Sequence, residues 1–456
     1  MHNENELCIT LILVLLGFLF LKKEVILIKY YGKLVFPNVE LSDETVIIKT
    51  PGIVKTSKGY RCIQCGNEDD KQLCEYEAAF SKENIIYCRS CIQLGRMDNV
   101  TEYRITESVC SKTEGYYVLP FKLSEQQCYA SEKIVDAIHH FKDLLLYAVT
   151  GAGKTEMMFE GIRIARQLGY NVAVISPRVD VVIEISLRIK EAFIYEDIDV
   201  LHQSSQQQYN GHFVIATVHQ MYRFKTHFDI IFIDEVDAFP LSMDPRLVEA
   251  IQLASKPQHS HIFMTATPPK NLMKQLPHEQ IIQLPARFHR RPLPVPQFKY
   301  FKLNTKHIQY KLKQLLLRQI EAQRYTLVFF NNIEIMKQVF KLYHYLFPDL
   351  IYVSSKDALR FEKVEALRKG EHRIVFTTTI LERGFTMPRL DVIVMNAESF
   401  DKAALVQISG RVGRKQEAPT GTVIFLHEGV SLSMIQAKKD IKHMNQLGLT
   451  KGWLDA

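Results

Sequence analysis

A glycine-rich segment with one lysine lies between an apolar run and a helical run. Residues 144–149 are apolar and predict a buried strand, and residues 150–155 read Thr-Gly-Ala-Gly-Lys-Thr. A helix is predicted from residue 156 to residue 168, just before Gly169. Backbone N–H groups of such a loop and of the following helix N-terminus face phosphates, so this order of elements predicts a phosphate-binding loop.

The side chains of this loop predict a bound nucleotide with its metal ion. We expect Lys154 to reach the β- and γ-phosphates of ATP and Thr155 to hold Mg²⁺. The usual first glycine of the motif is replaced by Ala148, which gives the pattern A-x-x-G-x-G-K-T. The predicted ATP-binding residues of the loop are Thr150, Gly151, Ala152, Gly153, Lys154 and Thr155.

Acidic residues follow a second apolar run. Residues 228–234 predict a strand that ends in Asp234, and Glu235 and Asp237 follow it. Ligands of open α/β sheets bind at the carboxyl ends of the strands, so these acids are expected beside the phosphates. We expect Asp234 to hold Mg²⁺ and Glu235 to polarise the attacking water, because phosphoryl transfer needs a metal-binding acid.

Two arginines near the C-terminus are candidates for completing the nucleotide site. Residues 407–414 read Gln-Ile-Ser-Gly-Arg-Val-Gly-Arg, which places Arg411 and Arg414 about one helical turn apart. As arginine fingers they would reach the γ-phosphate across a cleft, stabilise the transferring phosphoryl group and make hydrolysis depend on closure. The predicted catalytic residues are Lys154, Asp234, Glu235, Arg411 and Arg414.

Four cysteines upstream of the loop have the spacing of a metal site. Cys62 and Cys65 form one C-x-x-C pair, and Cys88 and Cys91 form a second. Each pair can direct two thiolates at one Zn²⁺, which then has four sulfur ligands and no open position for catalysis. We therefore expect a structural zinc site, with Cys74 as the only substitute ligand.

The elements that must position these residues alternate between apolar strands and helices from about residue 116. This alternation predicts an α/β fold with two tandem RecA-like parallel-sheet domains, preceded by a small four-cysteine zinc module. The expected division is residues 1–58 as an N-terminal segment with an apolar stretch, 59–97 as the zinc-binding module, 116–285 as the ATP-binding RecA-like domain 1, 286–298 as a linker and 299–450 as RecA-like domain 2.

The predicted linker opens a basic part of the chain. Residues 285–296 are dense in proline, which suits neither a helix nor a central strand. Residues 286–320 contain no acid, while lysines and arginines accumulate there. Such a run either binds a phosphate backbone or forms a solvated face, and the sequence leaves both interpretations open.

The bulk composition is that of a folded protein with an anionic partner. The 456 residues are 47% hydrophobic and 23% charged, which excludes disordered and fibrous classes, and the net charge of +7 favours nucleic acid or an acidic membrane surface. Residues 7–21 form an apolar run that ends at two lysines. A short membrane anchor, a buried helix and a wrongly chosen start codon all remain open; if the run inserts, the lysines place the protein body in the cytoplasm.

Together these motifs resemble superfamily 2 helicases and, in detail, the competence protein family ComFA. The shared phrases include G-A-G-K-T-E-M, I-D-E-V-D-A-F-P, T-T-T-I-L-E-R-G and A-L-V-Q-I-x-G-R-x-G-R, and the resemblance covers about residues 60–448. It implies a cytoplasmic ATPase, at the inner face of the membrane, that uses ATP, Mg²⁺ and Zn²⁺ to draw single-stranded DNA through a channel. It also implies a ComFC-like partner and the membrane channel ComEC. The apolar segment 7–21 departs from the family pattern.

The resemblance assigns further roles. Gln127 matches the position of an adenine-reading glutamine. The Thr-Ala-Thr sequence at residues 265–267 matches the element that couples the nucleotide site to the nucleic-acid groove. Residues at predicted strand ends match positions that contact the sugar-phosphate backbone, and these candidate DNA contacts are Arg178, Thr217, His219 and Thr378.

Three other classes of protein share parts of this pattern. The primosomal helicase PriA also has a G-x-G-K-T-E loop and zinc-binding cysteines, but its cysteines fall within the helicase core. A cold-shock type RNA helicase has D-E-A-D where this chain has D-E-V-D. A non-hydrolysing DNA-binding scaffold would have no reason to retain Lys154, Glu235, Arg411 and Arg414 together.

Overall fold

The computed structural model describes residues 30–41 and 45–455 of the chain. The apolar segment 7–21 and Cys8 lie outside the described residues. Among the residues described, every helix is too short or too polar to span a bilayer. A β module that carries the four cysteines comes first, and two parallel-sheet domains follow it.

The β module contains seven strands. They are β1 (Leu34–Val35), β2 (Val46–Pro51), β3 (Ile53–Thr56), β4 (Gly59–Cys62), β5 (Leu73–Glu77), β6 (Asn84–Cys88) and β7 (Glu102–Thr106). An antiparallel sheet has the order β1-β7-β2, while β3–β4 and β5–β6 are hairpins. The division expected between residues 58 and 59 falls in the turn of the β3–β4 hairpin, where Thr56 pairs with Gly59. Because a hairpin needs both of its strands, the module extends beyond the expected segment 59–97.

The first domain is built on a seven-stranded parallel sheet. Its strands are β8 (Leu144–Ala148), β9 (Val172–Ser176), β10 (Ile198–Leu201), β11 (Phe213–Thr217), β12 (Phe228–Asp234), β13 (Ser255–Thr265) and β14 (Ile281–Leu284), in the order β10-β11-β9-β12-β13-β8-β14. Every residue of β9, β11 and β12 is buried, which explains why these strands are continuous apolar runs.

Six helices accompany this sheet. They are α1 (Glu125–His139), α2 (Lys154–Met157), α3 (Phe159–Leu168), α4 (Val179–Ala192), α5 (Pro245–Ala254) and α6 (Lys270–Gln275). A capping box between Ser124 and Gln127 starts α1, and the Asp244 side chain accepts a hydrogen bond from the backbone N–H of Arg246 to start α5. Local sequence thus determines where these helices begin.

The second domain repeats the parallel architecture without a phosphate loop. Its strands are β15 (Gln297–Tyr300), β16 (Tyr325–Phe329), β17 (Leu350–Val353), β18 (Ile374–Thr377), β19 (Leu390–Val394) and β20 (Val423–His427), in the order β15-β20-β19-β16-β18-β17. Its helices are α7 (Tyr310–Glu321), α8 (Ile333–Tyr343), α9 (Arg360–Arg368), α10 (Lys402–Ser409) and α11 (Leu432–Thr450). The predicted fold class of two RecA-like sheets after a four-cysteine module is confirmed.

Two parts of the chain connect these bodies through buried apolar contacts. Cys62 and Cys91 of the β module share a core with Met221 and Ile251, which lie beside the first sheet. Helix α11 has its first half in the core of the second domain and its second half in the core of the first. The β module and α11 are therefore packed parts of the molecule and not separate appendages.

Candidate nucleotide site and candidate zinc site

The loop between β8 and α2 has the backbone shape of a phosphate-binding loop. Gly151 and Gly153 have φ values of 83° and 79°, a left-handed region that favours glycine. A Cβ atom at Gly153 would lie 2.2 Å from Nε2 of Gln127, so a side chain there would displace the Gln127 amide from the loop. Lys154 begins α2, which directs the first N–H groups of the helix into the loop.

Lys154 and Asp234, two of the residues predicted to act on ATP and Mg²⁺, form an ion pair. Nζ of Lys154 is 2.5 Å from Oδ1 of Asp234, at the carboxyl end of β12. Carboxylate and hydroxyl oxygens are ligands that suit Mg²⁺, so Asp234 and Thr155 fit this ion chemically. The neighbouring Glu235 has a φ of 54° and a buried Oε2 with no hydrogen-bond partner among the described residues. Nη1 of Arg383 lies 3.5 Å from this oxygen, an ion pair without a hydrogen bond, so the oxygen keeps the capacity to accept a proton from water.

A carboxylate two residues further on joins the two domains. Asp237 accepts hydrogen bonds from the hydroxyls of Thr265 and Thr267, and its Oδ2 lies 2.6 Å from Nη2 of Arg383 in the second domain. Burial acts to raise the pKa of Asp237, but Arg383 and the hydroxyl donors outweigh it and lower the pKa. Gln407 reaches Oγ1 of Thr267 at 3.4 Å. The Thr-Ala-Thr element therefore touches both the acidic loop and the second domain.

The two predicted arginine fingers lie on the same cleft. Arg411 is buried and donates from Nε to the carbonyl of Glu382 at 2.7 Å, and from Nη1 to the carbonyl of Phe385. Arg414 donates from Nε to the carbonyl of Gly410 at 2.8 Å. Burial lowers the pKa of both arginines, that of Arg414 to about 10, and Glu235 acts in the opposite direction on each. Glu235 of the first domain thus acts electrostatically on both guanidinium groups, which belong to the second domain.

Arg287 is one of the cations in the basic run of residues 286–320, for which the sequence leaves open a phosphate-binding or a solvated face, and the structure buries it instead. Its guanidinium is buried and donates only to main-chain carbonyls, at 3.1 Å to Thr150 in the phosphate-binding loop and at 2.6 Å to Val412 and Gly413 in the second domain. Burial lowers the pKa of Arg287 to about 9, and Arg414 adds to the shift. Most other cations of the run, such as Lys299, are exposed, whereas Arg287 is buried.

One feature of the sequence indicates that Arg287 lies near the phosphate-binding loop. Arg287 follows β14 by three positions, and β14 is paired with β8, the strand that leads into the phosphate-binding loop. Residues just after parallel strands collect at one edge of a sheet, where ligands bind. Arg188 was also missed: it lies on α4, 2.7 Å from Glu156 and 3.3 Å from Oγ1 of Thr155.

Gln127 lies against the phosphate-binding loop. Its Oε1 accepts a hydrogen bond from the backbone N–H of Ser124, and its Nε2 donates to the carbonyl of Ala152 at 3.3 Å. Both ends of the amide are therefore used, one to start α1 and the other to support the loop. The adjacent Gln126 makes two hydrogen bonds of 2.7 Å to the backbone of Ala286, next to Arg287.

The four candidate DNA contacts lie at strand ends. Thr217 and Thr378 are buried, and each immediately precedes a 3₁₀ turn, Val218–Arg223 in the first domain and Thr379–Leu381 in the second. His219 is half-buried, and burial lowers its pKa. Arg178 pairs with Asp180 at 3.0 Å and donates to the carbonyl of Ile380 at 3.3 Å, so it links the domains.

The four predicted zinc ligands converge. Cys62 and Cys88 end β4 and β6, while Cys65 and Cys91 lie in the turns that follow. Sγ of Cys62 is 3.7 Å from Sγ of Cys91, Cys65 and Cys88 are separated by the same distance, and all four sulfurs lie within 4.8 Å of one another. Four bonds of about 2.3 Å to one zinc ion give a tetrahedron with edges of about 3.8 Å, so the thiolates fit the metal.

The substitute ligand considered in the sequence is not part of this group. Cys74 lies on β5 and is absent from the cluster that the described residues form. Lys225 of the first domain donates to the carbonyl of Gln64, between Cys62 and Cys65, at 2.9 Å. The turn of the first C-x-x-C pair is thus also held by the first domain.

Comparison with known protein families divides the chain in the same order as the structure. Residues 31–104 match the family model of the competence protein ComFA N-terminal domain, residues 120–270 match the type III restriction enzyme res subunit, and residues 309–416 match the helicase conserved C-terminal domain. The solved structures of the L327V variant of Saccharomyces cerevisiae Dbp5 bound to RNA and ADP BeF₃ and of Mycobacterium smegmatis helicase Lhr bound to ssDNA and AMP-PNP share the fold. Their TM-scores are 0.53 and 0.52 at 14% and 16% identity; the matches cover 71% and 72% of this chain and 91% and 50% of those chains.

Two curated relatives cover most of the chain. The competence protein ComFA of Bacillus subtilis is 38% identical over 400 residues, 85% of this chain and 86% of that protein. The competence protein ComFA of Streptococcus pneumoniae is 34% identical over 433 residues, 91% of this chain and 98% of that protein. The predicted resemblance is confirmed, and the chain is a helicase-like ATPase that belongs to the ComFA family of competence proteins.

Proposed function

We propose that this protein hydrolyses ATP to move along single-stranded DNA and thereby draws incoming DNA into the cell during natural transformation. The observation that carries the proposal is the convergence of charged groups from both sheets on one cleft. Lys154, Asp234 and Glu235 come from the first domain, and Arg383 and Arg414 come from the second. A site divided in this way makes hydrolysis depend on the relative position of the domains.

Each side chain has a role in this proposal. Glu235 accepts a proton from the attacking water, and Lys154 binds the phosphates. Arg411 and Arg414 supply positive charge from the opposite domain. Asp234 and Thr155 would hold Mg²⁺, which when bound neutralises phosphate charge. Asp237 connects this chemistry to domain movement, because it binds Arg383 across the cleft and both hydroxyls of the Thr-Ala-Thr element.

The DNA-binding part of the proposal rests on a likeness between the two domains. Thr217 ends β11 and Thr378 directly follows β18, and each precedes a 3₁₀ turn at the carboxyl edge of its own sheet. Two such positions in domains that move relative to each other can hold neighbouring phosphates of one strand alternately. Contacts of this kind position a backbone without reading its sequence.

The ComFA family supplies the biological setting of the proposal. The relatives are named competence proteins, and we infer that this chain acts with a ComFC-like protein and the channel ComEC. It would then work in the cytoplasm at the inner face of the membrane. The four-cysteine cluster would hold one Zn²⁺ in a structural role, since its thiolates leave no ligand position open.

Steady-state ATPase activity tests the proposal most directly. We would measure it without nucleic acid and with single-stranded DNA, duplex DNA or RNA. Lys154→Ala serves as the inactive control, because it removes the phosphate-binding ammonium. Lys270→Ala is the matched control, since Lys270 is a lysine of the same domain that starts α6. We expect single-stranded DNA to give the strongest stimulation in the wild type and the Lys270→Ala variant.

Movement and binding are separated by a second assay. A streptavidin block at one end of a biotinylated oligonucleotide is displaced by a translocating motor only while ATP is hydrolysed. No stimulation by any nucleic acid would refute the motor and favour a scaffold. Stimulation without displacement would retain the ATPase but overturn translocation.

A further inference from the structure

Two histidines and an aspartate gather at the edge of the first sheet that is farthest from the nucleotide. His259 and His261 are two residues apart on β13, so their side chains share one face of the strand. Asp143 immediately precedes β8, which is paired in parallel with β13, so Asp143 lies beside His261. One ligand atom from each of the three side chains lies within 4.8 Å of the other two.

Outer hydrogen bonds determine which nitrogen of His261 carries its proton. The hydroxyl of Ser255 donates to the carbonyl of Ile251 at 2.8 Å, so its oxygen accepts at 2.8 Å from Nε2–H of His261. Nδ1 of His261 is therefore left with a lone pair. Nδ1–H of His259 donates to the carbonyl of Lys256 at 2.7 Å, which leaves a lone pair on Nε2. Metal-binding histidines typically donate the N–H of the ring nitrogen that does not bind the metal to such an acceptor, which orients the imidazole.

Where His261 and Asp143 face each other, neither facing atom donates a hydrogen bond to the other. Nδ1 of His261 lies 4.0 Å from Oδ1 of Asp143, and both atoms are acceptors. The imidazole of His261 is buried, with 5% of the residue exposed. Oδ1 of Asp143 already accepts the backbone N–H of His261 at 2.8 Å. Two acceptors that face each other, one of them on a buried imidazole, are stabilised by a cation between them.

We propose that Asp143, His259 and His261 bind a divalent transition-metal ion such as Zn²⁺ or Ni²⁺. Two imidazoles and one carboxylate suit these ions and not Mg²⁺, which prefers oxygen ligands. Bonds of about 2.0–2.2 Å require the three ligands to move closer together. Asp143 and His259 are only half-buried and can rotate towards the fixed His261, and water completes the coordination.

The site is distinct from both the nucleotide site and the cysteine cluster. Asp143 and the phosphate-binding loop lie at opposite ends of β8, whose five residues span roughly 17 Å. The ion would connect the start of β8 to β13, the strand that ends in Thr265. Its expected effect is therefore on the stability of the first domain and not on phosphate chemistry.

Metal stoichiometry tests this site. Untagged full-length protein is treated with a mild chelator, and its remaining zinc is measured by mass spectrometry. Ni²⁺ or Zn²⁺ is then titrated by calorimetry, with Mg²⁺ as a negative control. The variants are His259→Gln and Asp143→Asn, which keep the size of the side chain. The matched control is His307→Gln, at an exposed histidine three residues before α7. Cys110→Ser removes an exposed thiol that lies 3.3 Å from Nζ of Lys256.

We expect one equivalent of Ni²⁺ or Zn²⁺ beyond the zinc retained, with affinity lowered about tenfold or more in His259→Gln and Asp143→Asn. His307→Gln and Cys110→Ser should bind as the wild type does, and far-UV circular dichroism should be unchanged in all four. The proposal is overturned if the wild type binds no extra equivalent. It is equally overturned if His259→Gln retains full affinity or if Cys110→Ser abolishes binding.

Discussion

Glu235 and Asp237 lie two residues apart on one loop, yet their surroundings act differently on their protons. Burial raises the pKa of Glu235, and Arg383 opposes that rise without cancelling it. For Asp237 burial acts in the same direction, but Arg383 and the hydroxyls of Thr265 and Thr267 lower the pKa. One carboxylate is suited to accept a proton, and the other remains charged and holds a bond between the domains.

The raised pKa of Glu235 predicts the acid side of the activity profile. A base works only when ionised, so kcat/KM for ATP should fall with decreasing pH sooner than an ordinary glutamate would require. Arg383→Gln removes the cation that opposes the rise, so the fall should move to still higher pH. Steady-state pH profiles of kcat/KM check this. Arg389→Gln, at an exposed arginine of the same domain, should leave the profile unchanged, and a shift to lower pH in Arg383→Gln would contradict the assignment.

We expect substitution of Arg287 to lower the rate of ATP turnover without weakening ATP binding. Its guanidinium connects the carbonyl of Thr150 to those of Val412 and Gly413, so its contribution is to hold the two domains in register. Arg287→Lys keeps the charge but cannot make all these bonds at once. We expect kcat to fall by about 10- to 100-fold with little change in KM, because small displacements of catalytic groups are costly. Arg291→Ala, at an exposed neighbour, should behave as the wild type, whereas a rise in KM alone would argue against this role.

At the scale of elements, the two cysteine-bearing hairpins are short, and their stability depends on the contacts that join them. Hairpins β3–β4 and β5–β6 are separate two-stranded units, and such ribbons are marginally stable in water. Their ends meet at the four cysteines and in the core shared with Met221 and Ile251. A metal ion bound there therefore stabilises two hairpins and their contact with α5 together.

Removal of zinc should unfold this module selectively. Cys88→Ser removes one thiolate, and the lost metal corresponds to a folding free energy on the order of 10 kcal/mol for a small zinc module. We expect zinc content to fall from one equivalent to near zero and limited proteolysis to begin between residues 30 and 106. The matched control Cys74→Ser lies outside the cluster and should retain zinc. Equal zinc content in the two variants would exclude a four-cysteine site.

On the scale of the whole molecule, α11 connects the two domains. Met434 and Ala437 in its first half are buried in the second domain, while Ile441 and Met444 pack into the core of the first. Beyond the helix, the ring of Trp453 lies 5.7 Å from that of Tyr129 on α1. Movement of the domains must therefore either bend this connection or detach its end.

The only tryptophan of the chain reports on this contact. Met444→Ala removes apolar contacts with the first domain, a loss of about 2–5 kcal/mol for a buried methionine. We expect the emission of Trp453 to move to longer wavelength while far-UV circular dichroism is retained. The matched control Met434→Ala, on the same helix but in the second domain, should leave the emission unchanged. If both variants change the emission alike, the second half of α11 does not pack on the first domain independently of the first half.

The positions of the catalytic groups along the chain could be predicted because each depends on a local pattern. Lys154 follows the apolar strand β8 after the loop of residues 149–153, Asp234 is the last residue of β12, and parallel strands bring their carboxyl ends to one edge. The contacts of Arg287 could not be predicted in this way. Its partners at Thr150 and Gly413 are 137 and 126 residues away, and a basic run gives no sign of which cation is buried.

The sequence by itself determined the chemical groups, the two parallel sheets and the four thiolates, since strand periodicity, glycine loops and C-x-x-C spacing are properties of neighbouring residues. Only the tertiary structure decided which charges pair across the cleft, that the β module shares a core with the first domain, and that α11 belongs to both domains. The reason is that burial and charge pairing depend on which distant surfaces meet, and many such arrangements are compatible with the same local patterns.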